Sequence, residues 1–200
     1  MIANSGEYRK KNGQKGCVFM NNFIFENKTK VYFGKGGVKE YLGSLLGNYG
    51  ETVMLAYGGG SIKRNGVYDE IMGILNAAGK RVVEFDRIMS NPTYAKAQEG
   101  AKLARENHVD LILAVGGGSV SDCCKVISAQ AKLDEDIWEM QYTKHTLPTK
   151  FIPLGTVVTV FGTGSEMNNG AGITHEGKKI KGALWGAQAE FAFLGPSYTL

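Results

Sequence analysis

The stretch Leu111-Ile-Leu-Ala-Val-Gly-Gly-Gly-Ser-Val-Ser-Asp122 decides the reading of the chain. Five apolar residues follow His108-Val-Asp110 without a break, the pattern of a strand covered on both faces, as in a parallel sheet. Gly116, Gly117 and Gly118 then interrupt it, Ser119 follows, and Val120 to Ala131 has helical character. Glycines at a strand-to-helix turn allow backbone angles closed to other residues and place no Cβ in the way of a ligand. The first N–H groups of a helix lack internal partners and carry partial positive charge, so phosphate is a common guest there. A tight turn with Ser119 as the helix N-cap is the plainer alternative.

Outward from this stretch, strands and helices alternate. Asn22 to Phe25 and Lys30 to Phe33 read as short strands. Val38 to Leu46 has helical spacing, Thr52 to Ala56 is a buried-type strand, Gly66 to Ala78 a helix and Arg81 to Phe85 a strand. Asn91-Pro92 is a turn, and Thr93 caps a helix that runs through Asn107. The alternation predicts an α/β fold, a Rossmann-type doubly wound parallel sheet. A second Gly-Gly-Gly-Ser turn, residues 58–61, follows Thr52–Ala56. Ligands of such sheets bind outside the carboxyl ends of the strands, so the two turns are placed to hold two parts of one ligand. Neither turn is Gly-x-Gly-x-x-Gly, and neither has the Lys-Ser/Thr of a Walker A loop.

Further on, Leu133 to Lys150 reads as a loop in which Trp138 packs. Phe151 to Leu154 reads as a strand, and Gly155 to Glu166 as a hydroxyl-rich loop whose Thr156, Thr159, Thr163 and Ser165 either bond ribose or phosphate or satisfy their own backbone. Ala171 to Thr174 and Phe191 to Leu194 are strand-like, with Lys178-Lys-Ile-Lys181 between them as a charged hairpin or a phosphate contact.

The composition excludes several classes. Of 200 residues, 43% are hydrophobic and 21% charged, ordinary values for a globular protein. The net charge of +4 comes from scattered Lys and Arg with no basic, aromatic-interleaved stripe, so nucleic acid is not expected. No apolar run reaches transmembrane length. Three Cys, with Cys123 and Cys124 adjacent, fit neither a metal spacing nor an even disulfide framework, and reduced thiols in a cytoplasm are expected. Residues 1–19 are polar and basic with no apolar signal core. They are expected to form a disordered leader, with Met20 as the biological start and 20–200 as the α/β domain.

Four motifs in order carry a resemblance: Tyr57-Gly-Gly-Gly-Ser61, Asn91-Pro92, Gly116-Gly-Gly-Ser-Val-Ser-Asp122 with Lys125, and Gly162-Thr-Gly-Ser-Glu-Met-Asn168. From about Met20 to Leu200 the chain resembles the N-terminal half of the group III, iron-dependent (metal-dependent) alcohol dehydrogenases, and within them the NAD(P)H-dependent butanol dehydrogenase branch. The resemblance implies a dehydroquinate synthase-like fold: a Rossmann-type N-terminal domain, here without the C-terminal helical domain. It implies hydride transfer between NADP(H) or NAD(H) and a primary alcohol or aldehyde such as butanol or butyraldehyde. It also implies Fe2+ or Zn2+ held by an Asp and three His that family members supply beyond this stretch. The partner is then a small molecule, with no nucleic acid and no membrane; a homodimer is left open.

The same resemblance assigns roles. Gly117, Gly118 and Ser119 match the pyrophosphate cradle, and Asp122 a polar position close to the cofactor. Asn91 matches a cofactor contact, and Thr159 and Thr163 the threonine loop beside the phosphates and nicotinamide ribose. Lys181 matches a cofactor-binding lysine, with Lys179 the alternative by register. Gly59, Gly60 and Ser61 form the first turn, where members that prefer NAD tend to carry an Asp; here Gly58 stands instead, with Lys63 and Arg64 nearby. With no carboxylate to repel a 2′-phosphate, NADPH is expected to bind at least as well as NADH. Gly195-Pro196 replaces the usual Asp-Pro, which is expected to loosen the end of the sheet. No catalytic or metal-binding residue is expected in these 200 residues, and His108, His145 and His175 read as surface histidines.

Overall fold

The computed structural model describes Ile24 and residues 26–199. The expected leader and the start at Met20 lie outside the described residues, as do Asn22, Phe23 and Phe25 of the first expected strand; Ile24 belongs to no strand.

Eight strands are present among the described residues: β1 (Lys30–Phe33), β2 (Thr52–Tyr57), β3 (Arg81–Phe85), β4 (Leu111–Gly116), β5 (Leu154–Val158), β6 (Gly170–His175), β7 (Ile180–Trp185) and β8 (Phe191–Leu194). Six of them form one sheet in the order β1-β8-β5-β4-β2-β3, and β6 with β7 forms a separate antiparallel hairpin. Every pairing in the large sheet is parallel. The helices are α1 (Gly37–Leu46), α2 (Ser61–Arg64), α3 (Val67–Ala77), α4 (Tyr94–Glu106), α5 (Gly118–Gln130) and α6 (Ile137–Tyr142).

The apolar runs of β2 and β4 follow from burial on both faces. Val53, Leu55 and Tyr57 join Leu111, Leu113 and Val115 in a core with residues of α1 and α3. The alternate residues Met54, Ala56, Ile112 and Ala114 join a second core with residues of α4 and α5. A two-residue side-chain period thus feeds two helical layers from one sheet. It also places the switch point. The neighbours β2 and β4 lead into helices on opposite faces, α3 and α5, so a crevice opens at their carboxyl ends, where both Gly-Gly-Gly-Ser turns lie.

Four expectations are corrected. The strand placed at Phe151–Leu154 is β5, Leu154–Val158, with Thr156 buried in it. The hydroxyl suggests a loop, yet a β-branched residue fits a pleated strand, and among the described residues Thr156 Oγ1 has no hydrogen-bond partner. Within the expected loop, α6 forms because Asp136 caps it, its carboxylate accepting from Glu139 N at 3.0 Å. A six-residue helix is too short to show a period. The charged segment 178–181 is only the tip of the hairpin, whose second strand continues to Trp185. His175 is half-buried rather than on the surface, stacked on Tyr94 at 4.8 Å and edge-on to Trp138; His108 and His145 are exposed. Trp138 packs as expected, buried and stacked on Tyr142.

At Gly195 a Cβ would come to 2.7 Å from the Tyr198 ring, so the glycine leaves that ring its place. The Tyr198 hydroxyl donates to Glu70 at 2.9 Å, tying the end of the sheet to α3 rather than loosening it. No helix among the described residues is long and apolar enough to cross a membrane.

Candidate functional site

The crevice at the switch point is a cleft of about 400 Å³. Four segments wall it: the turn after β2, the segment after β3 with Ile88 and Ser90, the turn after β4, and the loop after β5. Seven of the residues singled out by sequence line it, namely Gly59, Ser61, Gly117, Gly118, Ser119, Thr159 and Thr163. Gly60 lies in the same turn as Gly59, with φ of 91°, a left-handed angle that favours glycine.

The start of α5 is open. Its N-cap is Gly117, which has no side chain to bond the helix. Ser119 sits inside the first turn, so the plainer reading of it as N-cap is not what the chain does. Intrahelical bonding begins with Val120 N and Ser121 N, both donating to Gly117 O. Among the described residues nothing accepts from the N–H groups of Gly118 and Ser119. Two unpaired donors at the positive end of a 13-residue helix therefore border the cleft. The glycines also set its shape. A Cβ on Gly118 would come to 2.5 Å from Thr163 Oγ1, and one on Gly117 to 3.4 Å from Val160. The loop after β5 lies against this turn because nothing projects from it.

Asn91, Asp122 and Lys181 do not line this cleft but gather beside it around the hairpin. Lys181 Nζ donates to Asn91 Oδ1 at 2.6 Å. Asn91 holds φ of 56°, a conformation asparagine tolerates better than most residues. Asp122 accepts from Ser165 Oγ at 2.5 Å and from Gly172 N at 2.9 Å. Lys179 stands in the hairpin turn with φ of 53°, and Lys178 pairs with Glu139 at 2.6 Å, so of the three lysines it is Lys181 that meets Asn91.

Lys125, quoted in the sequence motif without a role, is fully buried. Its Nζ donates to Ser165 Oγ at 2.9 Å, Asn168 Oδ1 at 3.0 Å and Gly170 O at 2.7 Å, with Asp122 at 3.6 Å. One ammonium thus fastens the helix that starts at the cleft to the segment that carries Thr163. A lysine three residues after Asp122, set between Cys123-Cys124 and Val126-Ile127, is the signal by which sequence reasoning would find it.

Burial lowers the Lys125 pKa from its ordinary 10.5 to about 8, and Asp122 and Glu166 oppose the shift. Between those values an unfolded chain keeps a proton that the folded one has lost, so this group makes stability rise with pH through that window. Relative to Lys125→Met, the wild-type chain should therefore gain about 3 kcal/mol between pH 7 and pH 10.5. Urea denaturation of both proteins across that range measures it, and a pH-independent difference would refute it.

Cys123 and Cys124 are buried, and burial pushes both thiols up, Cys123 to about 12. They stay protonated and pack. Among the described residues no group of three or more His, Cys, Asp or Glu is placed to hold a metal ion.

The expectation of no carboxylate near the first turn is corrected by Glu84 at the end of β3. Its Oε2 accepts from Tyr57 at 2.5 Å, its Oε1 accepts from Tyr68 at 2.8 Å, and Lys63 Nζ lies 3.4 Å from it. In sequence Glu84 stands 23 residues after Ser61, and only the pairing of Leu55 with Glu84 brings it alongside the end of β2.

Comparison with known proteins places this geometry among relatives. The sequence profile described as iron-containing alcohol dehydrogenase matches residues 28–196. A probable NADH-dependent butanol dehydrogenase 1 of Bacillus subtilis is 45% identical over 183 residues, covering 90% of this chain and 46% of the relative. The NADPH-dependent aldehyde reductase YqhD of Escherichia coli is 40% identical over 187 residues, with the same two coverages, 90% and 46%. The crystal structure of NADH-dependent butanol dehydrogenase A from Thermotoga maritima superposes with a TM-score of 0.83 at 36% identity, over 90% of this chain and 46% of that one. The chain spans about half the length of the curated relatives it matches.

Proposed function

The chain belongs to the iron-containing alcohol dehydrogenase family, and from that premise we propose that its cleft holds NAD(P)H for hydride exchange with a small primary alcohol or aldehyde. The observation that carries the proposal is the convergence of two glycine turns and the 159–163 loop on one crevice, beside an uncapped helix start. A nicotinamide dinucleotide fits such a crevice because a pyrophosphate needs unpaired N–H donors and close backbone approach. When bound, it supplies the hydride donor or acceptor, and the protein supplies position and electrostatics.

In this reading the N–H groups of Gly118 and Ser119 bind the pyrophosphate. Thr159 and Thr163 offer hydroxyls to phosphate and ribose from the facing wall, and Gly59, Gly60 and Ser61 receive the adenosine end. Asn91 and Lys181 act as a bonded pair at the edge of the site, and Asp122 orients the threonine loop through Ser165. Reduced Cys123 and Cys124 suit a cytoplasmic setting.

The residues described do not fit the metal of the family's name. We assign the metal, Fe2+ or Zn2+, to the half of a family-length enzyme that this chain does not span. The lack of a three-ligand cluster among the described residues carries a second reading: these 200 residues bind dinucleotide without turnover.

Titration of the chain with NADH and with NADPH, followed by nicotinamide fluorescence, tests both readings. Saturable binding is expected, with no oxidation of the bound NAD(P)H on addition of butyraldehyde and Fe2+ or Zn2+. Absence of saturable binding for both dinucleotides would reject the site; turnover would reject the second reading.

A further inference from the structure

Glu84, Tyr57, Tyr68 and Lys63 form a cluster beside the first glycine turn that the binding scheme above leaves unused. We propose that this cluster sets the choice between a 2′-phosphorylated and an unphosphorylated dinucleotide, with Glu84 withholding Lys63 from the 2′-phosphate. The inference rests on the proposed function, in that the Gly59–Ser61 wall receives the adenosine end.

The geometry separates two jobs. Ser61 lines the cleft and opens α2, and Lys63 stands two residues on in the same four-residue helix. Its ion pair adjoins this wall, as does that of Arg87 with Asp86 at 3.6 Å, Arg87 N donating to Gly58 O at 3.2 Å. Its Nζ lies 4.4 Å from the centre of the Tyr68 ring and 5.1 Å from that of Tyr57, so two aromatic faces and one carboxylate hold it in place. Glu84 is in turn fixed, one phenol on each oxygen. Those phenols, ahead of Lys63, hold its carboxyl below the usual carboxylate range, so it is ionised at neutral pH.

A pinned anion 3.4 Å from the lysine cancels most of the field a phosphate dianion would feel from it. The Lys63 and Glu84 side chains remain 48% and 42% exposed, so a ligand at the wall can reach the pair as it stands. The Lys63–Glu84 pair then adds little net field at the first turn, and Lys63 does little to separate the two dinucleotides. This is a different basis from the absence of a carboxylate that the sequence suggested.

The test is the ratio of NADPH to NADH dissociation constants, read by fluorescence titration at low salt. Glu84→Gln keeps an acceptor for a phenol and removes the charge; it should favour NADPH by about threefold to tenfold while NADH changes less than about twofold. The gain should shrink in 0.5 M NaCl on the order expected from screening, and Lys63→Ala added to Glu84→Gln should cancel it. Independently, Lys63→Glu alters an exposed side chain and should weaken NADPH by about tenfold while sparing NADH. A ratio unmoved by Glu84→Gln or by Lys63→Glu overturns the inference and leaves the cleft assignment standing. Failure of the wild-type chain to bind either dinucleotide overturns both.

Discussion

Gly186→Ala should destabilise the fold by about 3 kcal/mol, measured by urea denaturation at pH 7. The added Cβ would meet the Lys125 carbonyl group, with its carbon at 2.6 Å, and Lys125 Cβ at 3.0 Å. The obstacle is mainly main chain, so no rotamer change relieves it. Neither side can retreat cheaply. Helix α5 is buried along almost its whole length. The opposing backbone is held by Gly186 N donating to Asn169 O at 2.9 Å and Ala187 N donating to Lys125 O at 3.3 Å. Spreading the two would also pull the Lys125 ammonium from Ser165, Asn168 and Gly170, leaving a buried charge less well bonded. Gly59→Ala is the matched control: a Cβ there meets nothing within 4 Å and φ is not positive, so a change under about 1 kcal/mol is expected. Equal stabilities for the two variants would show that the hairpin is not seated on α5 as described.

What the sequence makes legible, and what it hides, follows from the range of the interactions. Thr52–Tyr57 and Leu111–Gly116 are readable because burial on both faces leaves an unbroken apolar run. The glycine turns are readable because a strand-to-helix corner with close backbone approach restricts the residue type. The partners of those turns are less visible. Thr159 and Thr163 were found through the family resemblance, since hydroxyls after a strand serve equally well as turn caps. Leu154–Val158 was misplaced because Gly155 and Thr156 imitate a loop; Gly155 is required by the Phe191 ring packed against it, a contact 36 residues away in sequence. Glu84 and Lys125 were hidden for the same reason. Their significance lies in what the sheet pairing and the hairpin bring to them, and neither carries a local signature beyond a charge in an apolar segment. The sequence therefore makes the turns that wall the cleft legible and leaves the residues that brace them hidden.

Gly118→Ala should abolish tight dinucleotide binding while leaving the fold nearly intact. Gly118 is the first residue of α5, where alanine is acceptable to the helix itself. The obstacle is across the cleft: the new Cβ would stand 2.5 Å from Thr163 Oγ1, 2.9 Å from Cγ2 and 3.0 Å from Cβ. Because the Thr163 Cβ is itself that close, turning the side chain does not clear the contact, and the loop must withdraw. Thr163 is exposed, so withdrawal breaks little of the core and should cost less than about 1 kcal/mol of stability. The cost falls on the site. The threonine wall moves away from the N–H donors of the helix start, and each hydrogen bond to a charged phosphate lost in this way costs about 1.5–3 kcal/mol. Titration should show NADH and NADPH weakened together, by at least about thirtyfold, because the pyrophosphate common to both is affected. That joint loss separates this variant from Glu84→Gln, which is expected to act on NADPH alone. The converse change, Thr163→Gly in the Gly118→Ala background, removes the obstructing side chain and should restore part of the affinity. If Gly118→Ala binds both dinucleotides as the wild type does, the turn after β4 is not the pyrophosphate cradle, and the helix start faces some other part of the ligand.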